Sequence, residues 1–326
     1  MNPDKGGKPV AVILDPIHPA GIERLGQTFD LILPAAAADD PRCSEASVAV
    51  VRTFPITKDW IDARPKLRLI AKHGSGVDNI DIPGATQRGV LVANTPGGTN
   101  STAVAEGAVT LMLAVLRRVR EMDGSMRSGN FDQRWSLELG DLTGGTLGLL
   151  GFGQIARYVA KICGAGFGMQ VSAYDPFVSA EEMKAVGVRK VEDLLELMRH
   201  DVVSVHVPLN AKTRNIVGAA ELAAMPASSI IVNTARGGLI DEAALADALR
   251  GGRIRGAGID VFEVEPPPQD NPLLALPNVV LSPHVTGVTS GSMKGMALAV
   301  AEVVETVFAG GIPVTLLNRE ALGEMR

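Results

Sequence analysis

The chain has 326 residues, enough for two domains that each bury a core of their own. Its net charge of -5 is spread over interspersed residues of both signs with no Lys/Arg stripe, so no nucleic-acid partner is expected. The apolar run from Gly107 to Leu116 is about half the length a bilayer span needs, and the start Met1–Lys8 lacks a signal-peptide core, so no membrane partner and a cytoplasmic location are expected.

Short apolar runs alternate with polar or helical stretches along the first third. Val10–Leu14, Leu31–Leu33, Val48–Val51, Leu69–Ile70 and Leu91–Ala93 read as strands, a β/α alternation that predicts a parallel sheet. The turn-rich stretch Asn94–Ser101 leads into a long helix, Thr102–Arg120. A second series follows: strand Thr146–Leu150, helix Gln154–Ala165, strand Met169–Tyr174, helix Val191–Arg199 and strand Val202–Val207. It continues with strand Ser229–Asn233, helix Asp241–Arg250 and strands Gly256–Asp260 and Val279–Ser282, before a final helix after Ser290. The fold class is therefore α/β, with two βαβ domains. Cys43 and Cys163 lack metal-ligand neighbours and read as reduced core thiols, and no metal is expected.

Between strand Thr146–Leu150 and its helix lies Gly151-x-Gly153-x-x-Ala156. Gly151 permits a tight turn, Gly153 lets the backbone approach a pyrophosphate, and Ala156 allows close helix–strand packing. Asp175 follows the next strand, where a carboxylate accepts from ribose hydroxyls and repels a 2′-phosphate; the cofactor expected is NAD rather than NADP. Arg236, Glu265 and His284 each follow a predicted strand, where parallel sheets bind ligands. Reducing a 2-oxo acid needs a cation to hold and polarise the substrate, a proton donor for the ketone oxygen, and a carboxylate to orient the donor. Arg236, His284 and Glu265 match those needs in turn. Taken singly, they also read as a cap ion pair, a core histidine and a surface acid. His18 and His200 read as solvated loop or helix-end residues, and His206 as a residue lining the cofactor cleft.

Together these blocks resemble the D-isomer-specific 2-hydroxyacid dehydrogenase family, which includes phosphoglycerate dehydrogenase, from about Val50 to about Met296. The resemblance implies a Rossmann NAD-binding domain over 101–287 and a discontinuous flavodoxin-like substrate domain over 1–100 and 288–326. Beside Gly151, Gly153 and Asp175, it implies cofactor contacts at Gln154, Ile155, His206, Val207, Pro208, Thr234, Ala235, Asp260 and Gly287. The segment Lys72–Asp81 resembles the family's carboxylate loop, with a backbone nest at Ser75, Gly76 and Val77. Arg52 and Lys72 either add charge for a second substrate anion, as in 3-phosphoglycerate, or are solvated surface residues. Glyoxylate, hydroxypyruvate and D-lactate-type substrates are the alternatives within the family.

Glu265 stands where formate dehydrogenase has Gln, which favours the hydroxyacid reaction. The same three residues occur in corepressors that act as NAD-responsive scaffolds, so a binding protein is the alternative of another class. Three positions depart from common family forms. Gly107 replaces a larger residue, Gly144-Gly145-Thr146 lacks a Lys, and the chain ends at Arg326, before the regulatory domain that some phosphoglycerate dehydrogenases carry; end-product control is not expected. A homodimer through the cofactor domain is expected, with Val104, Ala108, Leu111, Met112 and Val115 as its apolar surface.

Overall fold

The computed structural model describes residues 7–323; residues 1–6, on which the signal-peptide reading largely rests, and 324–326 lie outside the described residues. In chain order the elements are β1 (Val10–Ile13), α1 (Pro19–Gly26), β2 (Asp30–Ile32), β3 (Val48–Val51), α2 (Lys58–Asp62), β4 (Leu69–Lys72), α3 (Ile82–Gln87) and β5 (Leu91–Ala93). Next come α4 (Gly98–Leu116), α5 (Val119–Arg127), β6 (Thr146–Leu150), α6 (Gln154–Phe167), β7 (Gln170–Tyr174), α7 (Ala180–Lys184), β8 (Arg189–Lys190) and α8 (Leu194–Leu197). The chain continues with β9 (Val202–Val205), α9 (Ala219–Ala224), β10 (Ile230–Asn233), α10 (Glu242–Arg250), β11 (Gly256–Ile259), β12 (Val279–Leu281) and α11 (Ser290–Phe308). The chain divides into two compact units, Met1–Asn100 with Val288–Arg326, and Ser101–Gly287.

In the first unit the described residues form a 5-stranded parallel sheet of order β2-β1-β3-β4-β5, the flavodoxin-like winding. β3 and β4 are buried along their whole length, which requires cover on both faces and explains the apolar sequences of β3 and of β4 up to Lys72. Much of one cover comes from the end of the chain. α11 buries Val300, Ala301, Val304 and Val307 with Ala11, Ile13 and Val50 of the sheet. α11 crosses α1 closely because Gly21 has no side chain: a Cβ there would lie 2.8 Å from Ala297 Cβ. Arg24 donates to both carboxylate oxygens of Glu305, at 2.8 and 2.6 Å, across the same crossing.

The second unit holds a 7-stranded parallel sheet of order β12-β11-β10-β9-β6-β7-β8, the doubly wound order of dinucleotide-binding folds with one added strand. Its winding reverses between β6 and β9. α4 runs along β11 on a rail of small residues. A Cβ on Gly256 would meet Val115 Cγ1 at 2.7 Å, and one on Gly258 would meet Leu111 Cβ at 2.9 Å. One turn earlier on the same helix face, a Cβ on Gly107 would lie 2.6 Å from Thr286 Cβ. Gly107 thus lets the helix touch the loop after β12, which is where this departure from the family pattern has its effect.

The structure corrects several expectations. The long helix ends at Leu116 and a second begins at Val119, because Arg118 takes a left-handed conformation (φ 49°) that a non-glycine sequence does not advertise. Val104, Ala108, Leu111, Met112 and Val115 are all buried, so they offer no surface for a second copy. The exposed apolar residues lie just beyond, at Val119, Met126, Phe131 and Trp135, the last of them 80% exposed. The helix expected over Val191–Arg199 shrinks to α8, since Arg189–Lys190 joins the sheet edge and Asp193 caps the turn at Leu195. The short helices α7 and α9 carry too few apolar repeats to be read from periodicity.

Candidate active site

The glycine loop after β6 sits at the reversal of the seven-stranded sheet. Gly151 has φ 92°, and a Cβ there would lie 2.8 Å from the carbonyl oxygen of His206. Only glycine fits that turn. Gly153 is exposed, and nothing lies within 4 Å of a Cβ built there. The amides of Gly153, Gln154, Ile155 and Ala156 open the 14-residue α6 with no side-chain cap, which suits a phosphate group. Asp175 ties this loop down: its Oδ2 accepts from the Phe152 amide and its Oδ1 from the Phe177 amide, both at 2.8 Å. The residues present therefore fit a dinucleotide, in a cradle that a side chain at Gly151 would fill and with open space at Gly153.

His206, Val207 and Pro208 follow β9, on the other side of the reversal. The His206 amide donates to Leu150 O at 2.7 Å, and its Nε2 lies 2.9 Å from Ser204 Oγ. Desolvation holds its imidazole pKa down at about 4. Thr234 and Ala235 follow β10; Thr234 Oγ1 is buried and makes no hydrogen bond among the described residues.

Arg236 is partly buried, with its Nη1 donating to Ala235 O at 2.6 Å. Its loop is drawn back by Asn233, whose Nδ2 donates to Arg236 O at 2.8 Å while its Oδ1 accepts from Ala235 N at 3.0 Å. Gly237 presses directly on the loop after β11: a Cβ there would lie 1.8 Å from Phe262 O. No side chain fits, so Arg236 and the Glu265 loop are packed backbone to backbone.

His284 Nδ1 and Glu265 Oε2 are 2.8 Å apart. Glu265 Oε1 accepts from the Phe262 amide at 3.1 Å, so the carboxylate is held at both ends. With Nδ1 on the carboxylate, Nε2 is the nitrogen left to exchange a proton. His284 itself is left-handed (φ 54°), a costly conformation for a non-glycine residue. Asp260 sustains it. This side chain is fully buried and accepts from Ser282 Oγ (2.5 Å), Val285 N (2.9 Å), Thr286 N (3.2 Å) and Thr286 Oγ1 (2.6 Å), while its carbonyl takes the His284 amide at 2.7 Å. Asp260, expected at the cofactor, is in this structure the organiser of the histidine loop; both of its carboxylate oxygens are engaged there. Gly287 ends that loop. Beside the pair, a recess of about 430 Å3 is lined by Phe262, Pro266, Leu274, Leu281 and Pro283 as well as by His284 and Glu265.

The first unit carries the remaining sequence-derived residues. Ser75, Gly76 and Val77 follow β4, and their amides donate to no acceptor among the described residues, as an anion nest requires. The turn is fixed from the side, by Asn94 Nδ2 donating to Ser75 O (2.8 Å) and by Gly74 N donating to Thr95 Oγ1 (2.9 Å). Arg52 follows β3 and is partly buried; its guanidinium makes no hydrogen bond or ion pair among the described residues. Lys72 does not join it. The side chain is buried, and Nζ donates to Arg52 O and Asn79 Oδ1, both at 2.5 Å, so in this structure Lys72 braces the loop.

Sequence reasoning missed Asp15. It accepts from the amides of Arg52 (2.6 Å), Thr53 (3.0 Å) and Phe54 (3.2 Å) and from Thr53 Oγ1 (2.6 Å). Burial alone would raise its pKa, but the Thr53 hydroxyl and the three amides together hold it below the ordinary value. The available signal was a pattern: Asp15, Asp175 and Asp260 all stand just past strand ends. His200 is also corrected, since it is buried with Nδ1 2.8 Å from Leu197 O. His18 caps α1, accepting from Ala20 N at 3.1 Å. Cys43 and Cys163 are buried and free. Among the described residues no helix is long and apolar enough to cross a membrane.

The family described as D-isomer specific 2-hydroxyacid dehydrogenase, NAD binding domain, matches residues 109–286. The chain belongs to this family. It is 39% identical over 325 residues to a D-3-phosphoglycerate dehydrogenase of Methanocaldococcus jannaschii, covering 97% of this chain and 61% of that protein. With a D-3-phosphoglycerate dehydrogenase of Archaeoglobus fulgidus it shares 42% identity over 82% of this chain and 50% of that protein. It thus spans roughly half to three-fifths of the length of these relatives. A glyoxylate reductase of Korarchaeum cryptofilum is 39% identical over 97% of both chains. Among solved structures, an NADPH-dependent glyoxylate/hydroxypyruvate reductase from Sinorhizobium meliloti superposes with a TM-score of 0.85 at 30% identity, covering 96% of this chain and 99% of that one.

Proposed function

We propose that this protein interconverts a D-2-hydroxy acid and its 2-oxo acid, with hydride exchanged with NAD(H). The observation that carries the reading is the His284–Glu265 pair, 2.8 Å apart, on a loop strained into place by Asp260. In reduction, the His284 imidazolium donates its proton to the ketone oxygen. In oxidation, the neutral ring takes it back. Glu265 fixes the tautomer and the direction of the ring. Arg236 polarises the ketone and holds the carboxylate. In the discontinuous unit, the free amides of Ser75, Gly76 and Val77 form a nest that suits a carboxylate. The nicotinamide supplies or accepts the hydride. The unit Ser101–Gly287 is the cofactor domain in this reading, and the discontinuous unit is the substrate domain. Gln154, Ile155, His206, Val207, Pro208, Thr234, Ala235 and Gly287 line the cofactor. The test is NADH oxidation with a panel of 2-oxo acids; a wild-type protein that binds NADH but oxidises it with none of them is a binding protein.

NAD is the proposed cofactor because a carboxylate just after the second strand of the fold, here Asp175 with its two amide bonds, would repel a 2′-phosphate. The proposed substrate bears a second anion, as phosphohydroxypyruvate does. Arg52 supports this with a guanidinium that no carboxylate neutralises among the described residues. Glyoxylate or hydroxypyruvate is the second reading, favoured by the withdrawal of Lys72 and by the full-length likeness to a glyoxylate reductase. A cytoplasmic homodimer is proposed, with its contact moved from α4 to the exposed residues Val119, Met126, Phe131 and Trp135. A monomer mass by light scattering at micromolar concentration would contradict it.

A further inference from the structure

The parallel register of the first unit can be followed one step past its strand ends. β1 pairs Ile13 with Val50, β3 pairs Val51 with Lys72, and β4 pairs Ala71 with Ala93. Continued, the pairing sets Asp15, Arg52, His73 and Thr95 side by side in one row. Two hydrogen bonds bear this out: Arg52 N donates to Asp15, and His73 N donates to Val51 O at 2.8 Å.

His73 is the unusual member of the row. It is only 2% exposed, and neither ring nitrogen makes a hydrogen bond among the described residues. Buried polar groups in that condition are uncommon and costly. Every element around it can be inspected for charge. The loop after β1 presents Asp15, whose carboxylate is taken up by three amides and a hydroxyl. The loop after β3 presents Arg52, the segment after β5 presents the uncharged Thr95, and α11 presents backbone at Met293. Lys72, one residue back, lies on the opposite side of the strand and is bound to Arg52 O and Asn79. Desolvation, with the Arg52 charge adding to it, keeps the ring neutral, its pKa lowered to about 4. A carboxylate in place of His73 would pair with Arg52 and cancel its charge. A neutral imidazole leaves that charge available.

We propose that His73 is a positioning residue for an anionic substrate tail: as a neutral base it leaves Arg52 unpaired, and it takes up a proton when an anion docks on Arg52. Recognition of the tail therefore strengthens as the pH falls. This rests on the reading of Arg52 as the contact for a second substrate anion. The docked anion offsets the repulsion between Arg52 and a charged ring, and the backbone at His73 and Met293 favours the protonated form, so the proton is taken from solvent onto the ring.

The test is equilibrium binding to the full chain with NAD+ present, by calorimetry, of 3-sulfopyruvate and of pyruvate. The sulfonate does not titrate in this range, and any titration of His284 affects both ligands alike. An opposite charge nearby raises a pKa by about 2, so the affinity ratio for the sulfonate should grow about fourfold from about pH 7.5 to about pH 5.5. Binding 3-sulfopyruvate should take up about half a proton per site at about pH 6, read from the dependence of heat on buffer ionisation. In His73→Leu the ratio should be the same at both pH values; His73→Gln replaces it if the leucine variant does not fold. In Arg52→Gln the ratio should vanish. A wild-type preference for the sulfonate that is independent of pH, or a rise that survives in His73→Leu, overturns the role of His73 alone. No preference at either pH overturns it together with the reading of Arg52.

Discussion

Two loops, one in each unit, are built on the same device and finish differently. After β11, Asp260 gathers Ser282, Val285 and Thr286 and bends the chain into a left-handed histidine. After β1, Asp15 gathers the amides of Arg52, Thr53 and Phe54. In both cases an aspartate just past a strand end satisfies donors that a sharp turn would leave unmatched. The first loop then ties its functional side chain to a second carboxylate, Glu265, at 2.8 Å. The second leaves Arg52 without an ion pair among the described residues. The difference follows the chemistry each residue would do. Proton transfer needs one tautomer and one direction, which a fixed partner supplies. Capture of an anion needs a charge not already neutralised.

The largest effect should come from the locked side. His284→Ala should lower turnover by about 100- to 10,000-fold, the range of a general acid–base contribution, while NADH affinity by fluorescence titration stays within about twofold. Near-normal turnover would remove His284 from the mechanism. The two aspartates should separate next. Asp260→Ala strands several donors around a fully buried site and should cost about 3 kcal/mol in denaturant unfolding; Asp15→Ala should cost about 1–2 kcal/mol, because water reaches the exposed Thr53 and Phe54. Equal losses would mean that burial does not distinguish the two loops.

Acid should weaken the Asp15 side through its histidine. His73 has a native pKa of about 4 against 6.5 when unfolded, so the unfolded chain binds the extra proton. Stability is then full above about pH 6.5 and declines as pH falls toward about 4, by about 2 kcal/mol at about pH 5. His73→Leu should flatten that part of the stability profile; an unchanged profile would mean the ring is not held neutral. The smallest effect is on the pair itself. Glu265→Gln keeps a hydrogen bond to His284 but removes the charge, so turnover should fall by less than in His284→Ala while NADH affinity stays unchanged. Wild-type turnover in this variant would break the pairing that defines the locked loop.

What could be read from the chain alone was whatever depends on neighbours in sequence. Apolar runs, interrupted only at Lys72, Ser204 and Asn233, gave away β3, β4, β9 and β10, because strands buried on both faces show little polar side. The glycine turn at Gly151–Ala156 and the order of Arg236, Glu265 and His284 were legible for the same reason. The tertiary structure alone decided what depends on strand pairing and burial. Alternation along β4 sent Lys72 into the protein as a strut and set His73 beside Arg52, a relation that exists only once β3 and β4 are in register. The four bonds to Asp260 come from residues 22 to 26 positions away in sequence, and the apolar face of α4 was consumed by Gly256 and Gly258 of β11. A sequence names the groups that can bond; non-local pairing decides which of them are already taken.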